Sequence, residues 1–273
     1  ELPMLLTHGQ AEQSMRIFPM ISRVLFGLLF LAWIITVQTA FAESCANLKH
    51  QFGSSHVSVH CGKAPSASFD VHGRLWVVFV QNKHVHVSYS DDNGITFSAP
   101  VQVNEEQEDT EYNGENRPKI VIAPNGEILL SWTTKTSSNF TGLIRFTRSV
   151  DGGITFDTPR TINDDGLDTG HRFDSLLLSD SGNLFLTWID KRDMEKSLEL
   201  GNEYKGAAIY YSVSKDLGLT FGPNYRVSHN SCECCRIAIA PYENDKVAIL
   251  WRQIYDQQIR DHALAVLSPE VRP

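Results

Sequence analysis

One eight-residue pattern occurs three times in the chain, and it limits the possible fold more than any other feature. It reads Ser90-Asp-Asp92-Asn-Gly94-Ile-Thr96-Phe97, then Ser149-Val-Asp151-Gly-Gly153-Ile-Thr155-Phe156, then Ser214-Lys-Asp216-Leu-Gly218-Leu-Thr220-Phe221. The shared form is Ser-x-Asp-x-Gly-x-Thr-Phe, at separations of 59 and 65 residues. Self-similarity at such a spacing marks a repeat architecture. The chemistry of the pattern is that of a turn. An Asp carboxylate accepts from backbone N–H groups ahead of it, and Gly supplies a position with positive φ. The Thr hydroxyl can bond back to the Asp, and the Phe can pack inward. Asp92, Asp151 and Asp216, with Gly94, Gly153 and Gly218, are therefore expected to be structural.

A second pattern alternates with the first. Two short apolar runs flank turn residues at 67–79, 120–132, 176–188 and 237–251, each ending in an aromatic residue. Each reads as a β-hairpin. A third strand follows at 84–89, 142–147, 207–212 and 262–267, and the recurring turn leads to a fourth such as Val101-Gln-Val103. Four strands per repeat is the form of a propeller blade. The expectation is an all-β propeller over 62–273, with blades near 62–103, 115–163, 171–228 and 232–273. No helix of useful length is expected there.

The recurring turn resembles the Asp box of sialidases (neuraminidases) and related propellers, and the resemblance covers most of 62–273. It implies the fold more strongly than the activity, because one fold hosts many functions. Sialidase propellers have six blades. About four are present here, and an Asp box due near Ser268 is absent, so the expectation is an incomplete propeller. The resemblance also implies an exo-sialidase-like activity on terminal sialic-acid-type glycosides, through an arginine triad that clamps the substrate carboxylate. A guanidinium fork suits a planar carboxylate.

Arg117, Arg172 and Arg236 stand at the starts of innermost strands, which crowd around a propeller axis. They are the candidate substrate-binding residues, with Asp174 the candidate acid. The same arginines can instead pair with nearby carboxylates such as Glu115 or Asp174. Two departures from the family pattern stand out. The first blade has Lys63-Ala-Pro-Ser where sialidases carry an aromatic and Arg-Ile-Pro, and no Tyr/Glu nucleophile pair can be assigned. A non-catalytic propeller that binds a glycan or a protein is therefore the rival reading.

Five cysteines follow residue 42. Cys45 and Cys61 can close one short loop. Cys232, Cys234 and Cys235 form the densest cluster, readable as disulfide partners or as a soft-metal site with help from His171 or His229. The latter would make the chain a metal-handling protein. His84 and His86 share one face of a strand, and Asn139-Phe-Thr141 fits a glycosylation sequon. Asp190-Lys-Arg192-Asp193 reads as a solvated or salt-bridged loop. No organic cofactor is called for. The net charge of −8, with no basic stripe, argues against nucleic-acid binding.

Residues 1–42 read as upstream residues plus a secretory signal. A basic stretch from Met15 to Arg23 precedes an apolar run and Ala40-Phe41-Ala42, a small-x-small cleavage site. The apolar run of ~14 residues falls short of the ~20 that span a bilayer. Residues 43–61 form an N-terminal segment, and the mature chain is expected to be periplasmic or secreted.

Overall fold

The computed structural model describes residues 44–113 and 116–270. The secretory segment expected over 1–42 lies outside the described residues. Among those described, no helix is long and apolar enough to cross a membrane.

The fold is all-β with antiparallel sheets. Strands β1 (Lys63–Phe69), β2 (Leu75–Gln81), β3 (His84–Ser90) and β4 (Val101–Gln102) form one sheet in sequence order. A second contains β5 (Lys119–Ile122), β6 (Ile128–Lys135), β7 (Gly142–Ser149) and β8 (Arg160–Thr161). Strands β9 (His171–Leu178), β10 (Leu184–Asp190), β11 (Ala207–Ser214) and β12 (Tyr225–Ser231) repeat the order. A last group, β13 (Ala238–Tyr242), β14 (Lys246–Ile254) and β15 (Arg260–Leu267), joins β12 through the pair Ser231 and Gln253. That group has three strands, against the four of the other repeats.

Side-chain parity shows how the sheets pack. Successive residues of a strand point to opposite faces. In β6, Ile128, Leu130 and Trp132 join a core with Trp76, Val78, Val85 and Val87 of the first sheet. Leu129 faces the other way, into a core with Leu184, Leu186 and Trp188 of β10. Phe185 and Ile189 of β10 turn in their own direction, onto Val247, Ile249 and Trp251 of β14. β6 and β10 are thus each shared between two neighbouring groups of strands, and β10 is buried along its whole length. Trp132 and Trp188 are fully buried, which stabilises the fold by about 2–3 kcal/mol for each.

The three recurring turns share one hydrogen-bond pattern. Ser90 Oγ donates to Asp92 Oδ1 at 2.7 Å and accepts the Gly94 N–H at 2.8 Å. Asp92 accepts the Thr96 N–H at 2.8 Å and the Thr96 hydroxyl at 2.6 Å. The same bonds recur at Ser149, Asp151, Gly153 and Thr155, and at Ser214, Asp216, Gly218 and Thr220. The three glycines have φ near +80° to +86°. Each carboxylate is used up within its own turn. The Thr96 and Thr155 bonds hold the Asp92 and Asp151 carboxyls down at about 2. At Asp216 burial acts in the opposite direction, and the Thr220 bonds outweigh it.

Among the described residues are two eight-residue helices, one ahead of the first sheet and one within the β repeats, where the sequence expectation had none. Helix α1 (Cys45–Phe52) starts at Ser44, whose hydroxyl accepts the Asn47 N–H, and ends at Gly53 with φ +97°. A Cys45–Cys61 disulfide holds it to the chain ahead; a loop of that size restricts the unfolded chain by about 3 kcal/mol. Helix α2 (Arg192–Glu199) carries Asp193 and Glu195 in its first turn, where the helix dipole favours negative charge. Its polar composition lacked the apolar face by which helices are read from sequence.

Candidate functional site

The site begins with a bulge. In the β9–β10 pairing, Ser175 faces Thr187 while Arg172 faces Ile189. Phe173 and Asp174 therefore share a single partner position, Trp188. A bulge re-aims side chains. Here it puts Phe173 at φ +59°, a left-handed conformation that costs a bulky residue on the order of 1–3 kcal/mol and persists only under outside support.

Asn116 supplies that support from the segment before β5. Its Oδ1 accepts the Phe173 N–H at 3.2 Å and the Thr133 hydroxyl at 3.0 Å. Its amide nitrogen donates to Glu111. Glu111 is buried and accepts Arg172 Nε at 3.1 Å and Nη2 at 2.9 Å. The Arg172 guanidinium is thereby fixed in place. Sequence reading missed both Asn116 and Glu111. Their signal was weak, since neither lies in a motif and their partners are 57 and 61 residues away.

Above the bulge is a cavity of about 460 Å³. Arg172 and Arg236 both stack on the Phe173 ring, with guanidinium carbons 4.6 and 4.0 Å from its centroid. Arg236 also donates to the Cys234 carbonyl at 2.6 Å. Lys191, Glu233, Cys234 and Phe140 complete much of the wall. Lys191 Nζ lies 2.5 Å from Glu233. The wall therefore carries three cationic side chains and one carboxylate, an arrangement that favours an anionic ligand. A larger cleft of about 700 Å³ beside Tyr211 and Tyr225 has only Lys215 and Glu270 as charged lining residues.

The structure separates the four candidate residues. Arg172 and Arg236 share the cavity. Arg117 is exposed and does not line it, so Lys191 takes the third cationic place. Asp174 points the other way and its side chain is fully buried. It accepts the Ser131 hydroxyl at 2.6 Å and lies 3.9 Å from Lys119 Nζ. A carboxyl in that position does not meet a ligand in the cavity. It braces β9 against β6.

Two side-chain groups have the donor types and spacing of a metal site. Asp165, His171 and Asp190 form one. His171 is buried, with Nδ1 2.8 Å from the Gly142 carbonyl and Nε2 2.9 Å from Asp165. Both partners are acceptors, so the setting favours the charged ring with a proton on each nitrogen. Burial opposes this charge, but Asp165 and Asp190 outweigh it and raise the His171 pKa. Arg192 adds bonds to Asp190 and Asp164. This is an ion-pair network, so His171 is engaged away from the cysteines, and the charge-dense 190–193 segment is its salt-bridged part.

The second group is Cys232, Cys234 and Cys235, all free thiols. Among the described residues no disulfide forms within this cluster, which is one of the pairings the disulfide reading allowed. Burial raises the Cys235 thiol to about 11, with Cys232 adding to the effect. Burial also works to raise Cys232, but hydrogen bonds from Cys235 and Cys234 outweigh it and lower it. His84 and His86 sit together in β3 with ring centroids 6.2 Å apart. Burial pushes His86 down to about 4, as expected for a neutral core side chain.

No protein-family profile matches the chain, and no curated protein is detectably similar to it in sequence. Solved structures do resemble it. A Hadza microbial sialidase aligns at 17% identity and TM-score 0.53, over 80% of this chain and 46% of the other. The alpha-L-arabinanase of Penicillium chrysogenum aligns at 18% and 0.50, over 78% and 64%. The GH93 alpha-L-arabinofuranosidase of Fusarium graminearum aligns at 16% and 0.51, over 77% and 63%. The chain thus spans about half to two thirds of the length of these neighbours. At such identities the likeness is one of fold alone.

Proposed function

We propose that this chain is an exported glycan-acting β-propeller module, its sheets being Asp-box blades, and that the Phe173 cavity recognises the carboxylate of an acidic sugar of the sialic-acid type. One observation carries the reading. Two guanidinium groups stack on a single phenyl ring in a cavity whose wall holds three cations and one carboxylate. Arg172 is held rigid by Glu111, which lowers the ordering needed on binding. The fold neighbours, whose names are those of glycosidases, support a glycan as the ligand class.

Hydrolysis is the second reading, and the same neighbours favour it. Retaining glycosidases use two carboxyl groups roughly 5–5.5 Å apart. Glu233 is the one acidic side chain in this wall, and Lys191 pairs with it. That arrangement supports binding more directly than turnover.

Calorimetric titration of the full chain with sialyllactose and with lactose tests the proposal. Preference for the acidic sugar, lost in Arg172→Ala, is expected. Equal affinity for the two sugars contradicts it. Turnover of a fluorogenic sialoside that disappears in Glu233→Gln would establish the hydrolytic reading.

A further inference from the structure

We infer that Cys232, Cys234 and Cys235 form a binding site for a soft, thiophilic d10 cation, with Cu(I) as its expected occupant. The site is built by the backbone. Strand β12 ends at Ser231, and the Cys232 N–H donates to the Arg252 carbonyl of β14 at 2.9 Å. The Cys235 N–H then returns to the Cys232 carbonyl at 3.4 Å, closing a tight turn. Three thiols are thereby directed to one point. Their sulfurs all lie within 4.8 Å of one another, and Cys232 Sγ is 3.7 Å from Cys234 Sγ.

That spacing fits a metal centre. With a metal–sulfur bond of about 2.3 Å, tetrahedral or trigonal geometry places neighbouring sulfurs about 3.8–4.0 Å apart. The Cys232–Cys234 separation matches this within a few tenths of an ångström, and the other sulfur pairs lie within 4.8 Å. Among the described residues, no histidine or carboxylate joins the three sulfurs in this group. Structural zinc sites take four ligands, whereas a three-thiolate set suits Cu(I), which selects soft sulfur donors. The charge balance is also favourable. Three thiolates with one monovalent cation leave two negative charges, and the Arg252 and Arg260 side chains act on Cys235 and Cys232. Cys234 lines the Phe173 cavity and is exposed, so an ion can enter from solvent while Cys232 stays buried. The inference does not depend on the glycan reading.

The test uses the full chain, reduced gently enough to leave the Cys45–Cys61 bond intact, and handled without oxygen. Cu(I) is titrated against a chromogenic Cu(I) chelator, and Zn(II) against a zinc indicator. One Cu(I) per chain is expected, with an ultraviolet sulfur-to-copper absorption band. Cys234→Ser, at an exposed position, should weaken binding at least tenfold. The Cys232→Ser/Cys234→Ser/Cys235→Ser variant should lose both the ion and the band. Near-ultraviolet circular dichroism confirms that each variant folds. Cu(I) retained equally by the folded triple variant would overturn the proposal, as would no binding by the reduced chain. Binding of Zn(II) without Cu(I) would overturn the three-coordinate assignment.

Discussion

The recurring turns and the Phe173 cavity are built by opposite means. In the turns the hydrogen bonds to the carboxylates of Asp92, Asp151 and Asp216 close within four residues. At the cavity, Glu111 meets Arg172 across 61 residues, Asn116 meets Phe173 across 57, and Ser131 meets Asp174 across 43. The carboxylate bonds are therefore local to each turn, while the third turn also meets the preceding sheet through Arg160, which donates to the Gly218 and Leu219 carbonyls. The cavity is a property of several elements at once and exists only when they are assembled. Damage to a turn should lower stability and leave ligand recognition intact. Damage to the cavity network should affect recognition out of proportion to stability.

The largest effect is expected at Gly218. A Cβ there would lie 2.3 Å from Phe146 Cζ, at φ +81°. Overpacking and backbone strain together should make Gly218→Ala about 3–4 kcal/mol less stable. Gly126→Ala has the same kind of φ with nothing within 4 Å and should cost about 1 kcal/mol. Urea denaturation of both variants separates crowding from strain. If the folded fraction of Gly218→Ala no longer binds the acidic sugar, the turns are not independent of the cavity.

Asn116→Ala comes next. It strands the Phe173 N–H and takes one partner each from Glu111 and from the Thr133 hydroxyl, which keeps Asp174 at 3.5 Å. Unsatisfied buried groups of this kind should remove about 2–3 kcal/mol of stability. Sugar binding should fall by a larger factor than stability predicts, because Phe173 loses its anchor and Glu111, which holds Arg172, loses one of its partners. A variant with normal sugar affinity would show that the bulge supports itself.

The pH dependence distinguishes a network from a turn. His171 has a raised pKa in the fold, so its contribution is complete below the unfolded value near 6.5 and is lost as pH rises through the folded value. Asp165 behaves in the reverse sense. Burial works to raise its carboxyl, but the His171 bond outweighs that and holds it at about 2. Its contribution is present above the unfolded pKa and fades as pH falls towards 2. Stability should therefore decline on the alkaline side, and His171→Gln should flatten that limb. An unchanged alkaline limb in the variant would place the titrating group elsewhere.

The smallest effect is expected at Arg117. Its side chain is exposed and outside the cavity, so Arg117→Ala should change stability by no more than about 0.5 kcal/mol. Sugar affinity should not change. A loss of binding would restore it to the site.

This contrast also explains what could be read from the sequence. The strands and turns were legible because period-two alternation and the Ser-x-Asp-x-Gly-x-Thr-Phe pattern are local. Trp132, Trp188 and Trp251 lie in second strands as the hairpin pattern placed them, though the strands run on to Lys135, Asp190 and Ile254. Helix α2 was not legible, because a charged eight-residue helix carries no apolar stripe. At the cavity, the sequence named Arg172 and Arg236 but not their spacing. It overlooked Lys191 because a lysine between two charged residues looks solvated. It selected Asp174 as an acid because a one-residue bulge decides which way that carboxyl points, and alternation alone does not reveal a bulge.

The most direct test compares, by calorimetry, sialyllactose with its carboxyl methyl ester on the full chain and on Arg172→Ala. The account predicts that the free acid binds at least about tenfold tighter, as a charge-assisted guanidinium–carboxylate contact provides. It also predicts that this preference vanishes in the variant. An ester that binds as well as the acid, or a preference that survives the loss of Arg172, would contradict it.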